Sequence, residues 1–169
     1  MLIAFVFIGF TDEPTTYSVT GKVTGGNNHC GGDELGEEDL KELARPFTIS
    51  GTEFYIRKGK TNDVSKPIYK TITTDKEGKF KIDLPAGDYV IVEAEKKDKT
   101  KYNEYLKNFK KKTETYDPID KACLKKWLAT PLAGFTVINS ETPEIKIHIV
   151  KPCAWNAIPC ANYTGSPPP

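Results

Sequence analysis

The stretch Thr73–Tyr89, TTDKEGKFKIDLPAGDY, constrains the fold more than any other part of the chain. It holds two reversals bracketing one short alternation. At the first, Asp75 can bind its own backbone two residues on and Gly78 can take a positive φ. At the second, Pro85 presets φ and Gly87 relaxes it. Between them Phe80, Ile82 and Leu84 alternate with Lys79, Lys81 and Asp83, the period-two pattern of a half-buried strand. With a strand ending at Thr73-Thr74 and another in YVIVEAE, the stretch predicts an antiparallel meander joined by two similar turns.

The same periodicity recurs on either side. TYSVTGKVTG places Tyr17, Val19, Gly21 and Val23 on one face, against Ser18, Thr20 and Lys22. TEFYIRKG and PIYKTITT supply two strands before the bracketed stretch. GFTVIN and PEIKIHIV supply two after it, the last with Ile145, Ile147 and Ile149 opposed to Lys146, His148 and Val150. About seven short strands with turns between them predict a mainly β protein, an antiparallel seven-stranded sandwich spanning residues 15–150. A short acidic helix, EEDLKELA, follows the first strand, with acids in its first turn and Leu35, Leu40 and Leu43 expected to face inward. Before the last strands the period lengthens. Tyr102, Tyr105, Leu106 and Phe109 fall at i, i+3, i+4 and i+7, a helix from Lys101 to Lys112. A second helix is expected with Asp117 as N-cap and Pro118 as its first residue, turning Ile119, Cys123 and Trp127 inward. These two helices form an insertion over residues 99–130. The tail, residues 151–169, is rich in cysteine and proline and without a period.

The four cysteines, Cys30, Cys123, Cys153 and Cys160, are an even set. The first ten residues, MLIAFVFIGF, carry no charge and have the length of a signal-peptide core rather than a membrane span. Residues 1–12 are therefore read as the remnant of a signal peptide, which favours an oxidising compartment and two disulfides. Three pairings are open. The expectation is Cys153–Cys160, closing a short loop, with Cys30–Cys123 bridging the domain.

The signature Thr74-Asp75-x-x-Gly78-x-Phe80, followed by Leu84-Pro85-x-Gly87-x-Tyr89 and preceded by VTGKVTG, resembles the carboxypeptidase regulatory-like domains. These belong with the prealbumin-like sandwiches, among them transthyretin and the Cna-B repeats of surface adhesins. The resemblance covers residues 17–95, with 134–150 as closing strands. It implies a non-catalytic module for binding, adhesion or structural roles, secreted or periplasmic, at the cell envelope. The remaining segments are similar to elaborations of small envelope proteins of Gram-negative bacteria. In Cna-B domains a Lys–Asn isopeptide bond promoted by an acid is found, and Lys22, Asn139 and Glu93 are the residues that could take those roles here.

The candidate chemistry is sparse. A net charge of +1 argues against a nucleic-acid partner, which requires a basic surplus. The charge is nonetheless segregated: Asp33–Glu42 holds six acids and one lysine, whereas Lys96–Lys112 holds eight lysines and two acids. Lys107, Lys110, Lys111 and Lys112 are candidates for an anionic partner, including peripheral contact with a membrane. The only two histidines, with two cysteines, offer a zinc or copper alternative at His29, Cys30, His148 and Cys153. YTGS, Tyr163–Ser166, resembles the C-terminal Tyr-Arg-Gly-Ser of hydroxyisourate hydrolases. Thr164 replaces the arginine, however, and no strand supplies the histidines that chemistry needs. No catalytic residue and no cofactor are expected. The expected partner is another envelope protein or a glycan.

Overall fold

A computed structural model describes residues 14–31, 34–139 and 143–166. The expected signal-peptide remnant lies outside the described residues. Among the described residues, eight strands form two sheets. In sheet A, β1 (Thr16–Gly26) is central. Along one edge it pairs antiparallel with β5 (Lys79–Pro85) and then with the two-residue β2 (Phe47–Thr48). Along the other it pairs with β8 (Ile145–Val150) in parallel, from Gly21 opposite Ile145 to Gly26 opposite Val150. Sheet B runs β4 (Lys70–Thr73), β3 (Glu53–Lys58), β6 (Gly87–Val92) and β7 (Ala133–Val137), all antiparallel.

The inward faces follow the alternation in the sequence. Val19 and Val23 of β1, Phe80, Ile82 and Leu84 of β5, and Ile145 and Ile147 of β8 pack against Phe54, Ile56, Ile72, Tyr89, Ile91 and Val137 of sheet B. This is the two-sheet sandwich expected, with two corrections. Sheet A is mixed rather than antiparallel, because the last strand returns beside the first in the same direction. The short β2 is an extra strand that two residues give no period to detect.

The two reversals of Thr73–Tyr89 also differ from a meander. β4 and β6 lie in sheet B and β5 in sheet A, so each turn carries the chain from one sheet to the other. Local turn chemistry is the same in either case, and only strand pairing decides which neighbour follows. The chemistry at the first turn is as read: Asp75 Oδ1 accepts the Glu77 and Lys79 amides at 2.9 and 2.8 Å, and Gly78 has φ +74°.

Among the described residues there are three α-helices: α1 (Glu37–Leu43), α2 (Thr100–Asn108) and α3 (Lys121–Ala129). α1 buries nothing, and Leu40 is 49% exposed, against the expected inward face. Its seven residues follow a loop and end beside the short β2, leaving no layer for that face to cover. The insertion behaves otherwise. Val90 and Val92 point away from the sandwich core yet are 0% exposed. The helices therefore form a third layer, on the outer face of sheet B.

Both helix limits in the insertion are shorter than the periodicity suggests. α2 stops at Asn108 because Phe109 turns its ring edge-on to Tyr116, 5.5 Å between centroids, and its carbonyl accepts the Ile119 amide at 2.9 Å. α3 starts at Lys121, not at Pro118. The Asp117 and Asp120 amides are taken by the Asn162 and Cys160 carbonyls at 2.9 and 3.0 Å, so the chain stays extended until Asp120 caps the helix through Ala122 and Cys123. Ile119 is buried as expected, though ahead of the helix; the buried residues of α3 itself are Leu124 and Leu128, Trp127 is half-buried and Cys123 turns outward.

A side chain at Gly78 would place its Cβ 2.6 Å from the Val23 carbonyl, whereas at Gly51, with φ +65°, nothing lies within 4 Å. Gly51→Ala should cost only the left-handed backbone term, about 1 kcal/mol, and Gly78→Ala about 2 kcal/mol or more. Urea unfolding of the two variants measures the difference, and equal losses would show that the Gly78 turn is not clamped to β1.

Candidate functional site

The third layer is held by a buried polar knot. Arg57, on β3, alternates away from the core and would face solvent if sheet B were bare. It is 2% exposed. Its Nε donates to Asn62 Oδ1 at 2.8 Å, and Nη1 and Nη2 donate to the carbonyls of Lys66 and Lys97. Burial pulls the guanidinium pKa down, while the carboxylates of Asp63 and Asp98 pull it up. Asn62, 3% exposed, uses its whole amide: Nδ2 donates to Lys96 O at 2.7 Å and Leu128 O at 2.8 Å, and its backbone N–H donates to Ala129 O at 2.9 Å. Two side chains thus tie the loop after β3, the turn before α2 and the end of α3 to one point.

Lys96 extends the knot. It is 8% exposed, with Nζ 3.1 Å from Glu93 Oε1, 3.2 Å from the Thr130 carbonyl and 5.1 Å from the centre of the Trp127 ring. Trp127 in turn meets Tyr105 edge-on at 5.6 Å, which docks α2 on α3. The half-buried Tyr102, Tyr105, Leu106 and Phe109 are the docking face anticipated from their spacing.

Above Asn62 the knot leaves a cleft of about 420 Å³ between the loop 61–65, the start of α2 and the second half of α3. Thr61, Asp63 and Ser65 form one wall, Lys99 and Tyr102 a second, and Lys125 with Leu128 a third. Asp63 Oδ1 accepts the Ser65 hydroxyl at 2.6 Å and its amide at 3.1 Å; chiefly the hydroxyl, then the amide, holds the carboxyl below the usual carboxylate range. Neither Lys99 nor Lys125 has an ion pair or hydrogen-bond acceptor among the described residues.

The tail is a strap. Cys30, four residues past β1, bonds to Cys153, three past β8, and Cys123 on α3 bonds to Cys160. The expected pairing of Cys153 with Cys160 and Cys30 with Cys123 is corrected. Cys153 is drawn to the loop after β1 because β8 runs parallel to β1 and delivers both ends to the same side. Cys160 is held beside α3 by the backbone bonds to Asp117 and Asp120. Between the two cystines, Tyr116 donates its hydroxyl to the Ala154 carbonyl at 2.5 Å and lies against Tyr163, and burial pushes its pKa up.

The other expected groups do not assemble. Cys30 and Cys153 share a disulfide, so the zinc or copper alternative loses both sulfur ligands. His148 Nδ1 lies 3.0 Å from Thr24 Oγ1 on the exposed face of sheet A, and His29 is exposed. Among the described residues no three His, Cys, Asp or Glu side chains are grouped to hold a metal. Lys22 and Asn139 are both exposed, with Glu93 committed to Lys96, so no isopeptide triad forms. Lys107 is exposed on the last turn of α2. Lys110, Lys111 and Lys112 lie beyond the helix, also exposed, with Lys112 3.7 Å from Asp117. The lysine run is thus not one helical face. No helix among the described residues is long and apolar enough to cross a membrane.

Sequence reasoning did not single out Arg57 or Asn62, yet a signal existed. Tyr89–Val92 is an unbroken apolar run, which marks a strand covered on both faces. Arg57 pairs with Val90 in the ladder and so shares its covered face. Asn62→Ala should cost about 2–4 kcal/mol in urea unfolding, because it leaves Arg57 Nε and two carbonyls buried without partners. A loss under about 1 kcal/mol would mean water replaces the amide and the knot holds nothing.

Residues 44–118 match the family model SpaA, described as a prealbumin-like fold domain. No curated protein and no solved structure matches the chain. The matched segment runs from just before β2 through sheet B's β3, β4 and β6 into the insertion, and its prealbumin-like description agrees with the two-sheet sandwich and with the resemblance carried by Thr74–Tyr89.

Proposed function

We propose that the protein is a non-catalytic adhesion or pilin-type module, a β-sandwich exported to the cell envelope, whose role is binding or structural. The observation that carries this reading is the match of residues 44–118 to the SpaA prealbumin-like domain, on a chain whose fold is that sandwich. The cystines support the location. All four cysteines are paired, and the bonds span sequence separations of 123 and 37 residues. Long-lived bonds of this kind persist in oxidising compartments and are rare in the cytosol. In the chain-entropy description such loops stabilise by about 5 and 4 kcal/mol, comparable to the whole stability of many domains. The partner on this reading is another envelope protein or a glycan.

The test is thiol trapping in the native host, with fractionation, followed by peptide mapping without reduction. The expected result is an exported protein with no alkylated cysteine and two linked peptide pairs, Cys30 with Cys153 and Cys123 with Cys160. A cytosolic, fully alkylated protein would overturn the proposal. Oxidised protein linking Cys153 to Cys160 would instead refute the strap.

A further inference from the structure

We propose that the cleft above Asn62 binds an acidic sugar, a hexuronate unit of an anionic polysaccharide. The inference deepens the reading of the protein as an envelope binding module and rests on it. The cleft, about 420 Å³, falls within the range of small-ligand sites, roughly 300–1,000 Å³. Its floor is preorganised, since Asn62 is fixed by Arg57 and two carbonyls, and the loop 61–65 is held to α3 by Asn62 N–H. A ligand therefore does not have to order the site, which is where much binding energy is otherwise lost.

The lining chemistry selects the class. Lys99, just ahead of α2, and Lys125 of α3 line the cleft without a competing partner among the described residues, so an anion meets two cations in one concavity. The third charge is Asp63, ionised through Ser65 and 4.0 Å from Lys66. A carboxylate beside two lysines suits a ligand carrying one negative charge together with hydroxyl groups, which Asp63, Thr61 and Ser65 can accept or donate to. It does not suit a phosphate. A phosphate site uses backbone N–H groups or a free arginine fork. Here the Asn62, Asp63, Ser65 and Lys66 amides are taken, by Ala129 O, Thr61 O, Asp63 Oδ1 and Asp63 O, Arg57 is consumed below the floor, and the Asp63 carboxylate repels a phosphate dianion more than a singly charged uronate. Tyr102, half-buried, supplies an aromatic wall for the apolar face of a sugar ring.

This places the anionic site about one helix length from the lysine run. Lys99 precedes α2, and Lys110–Lys112 follow it on exposed chain outside the lining of the cleft.

The experiment is titration calorimetry of the oxidised full chain with a galacturonate oligomer, alongside a neutral galactose oligomer and inorganic phosphate. Variants are Lys99→Glu with Lys125→Glu, Tyr102→Ala, and the triple reversal Lys110→Glu, Lys111→Glu and Lys112→Glu. The uronate should bind with an affinity that falls with salt, and the neutral oligomer and phosphate at least about tenfold more weakly. The double reversal and Tyr102→Ala should each weaken uronate binding about tenfold or more. Lys99 and Lys125 are exposed, so their double reversal should leave the thermal midpoint unchanged. The triple reversal should change affinity less than about threefold. No uronate binding, equal binding of phosphate or neutral sugar, or loss only in the triple variant would overturn the proposal, the last by moving the site to the lysine run. Because the titration uses purified oxidised protein, its failure leaves the export and thiol-trapping result standing, and failure of the latter leaves the titration interpretable.

Discussion

A guanidinium buried on the outer face of a sheet needs partners for its N–H groups and an answer to its charge, and Arg57 meets that need with pieces of chain far apart in sequence. Its partners are Asn62, the Lys66 carbonyl and the Lys97 carbonyl, and through Asn62 it reaches Lys96, Leu128 and Ala129. Without the insertion, Arg57 would be solvated and Val90 and Val92 would be bare. Without Arg57, the Lys66 carbonyl in the loop after β3 and the Lys97 carbonyl in the turn into α2 would lose their side-chain donors. The apolar contacts supply the larger share of the free energy, and the polar knot fixes where the helices sit.

The tail makes the same point covalently. Each cystine ties it to a different layer: Cys153 to the end of sheet A's central strand, Cys160 to α3 of the insertion. Since β8 is parallel to β1, the chain emerges beside the loop after β1 and then crosses to the third layer. There Tyr116 and Tyr163 pair in an isolated bridge. A module stapled in this way holds its insertion, and the cleft within it, in one position relative to the sandwich, as suits a site that must be ready before its ligand arrives.

The alternations at Val19–Val23, Phe80–Leu84 and Ile145–Ile149 made the inward faces legible from the residues, and Asp75 and Gly78 made the turn legible. Neither could reveal that the chain changes sheets there, because turn residues record local dihedral angles and not which edge the next strand joins. The helix limits failed for a related reason. Asp117-Pro118 is a good start signal in isolation, but the tail's carbonyls claim the Asp117 and Asp120 amides, contacts between positions 45 and 40 residues apart. The disulfide pairing likewise depended on the parallel return of β8. The candidate cleft was the least legible, since its lysines were two among the chain's many cations and only the fold separates Lys99 and Lys125 from the rest.

Joined at Arg57 and Asn62, sandwich and insertion should behave as one cooperative structure. Native-state hydrogen exchange on the oxidised protein tests this most directly, by comparing the amides of Asn62 and Leu124 with those of the β1–β5 ladder. The expected result is that they open together, with the same dependence on denaturant and free energies within about 1 kcal/mol of one another. Exchange of Asn62 and Leu124 through a separate, lower-energy opening that leaves β1 and β5 protected would contradict it.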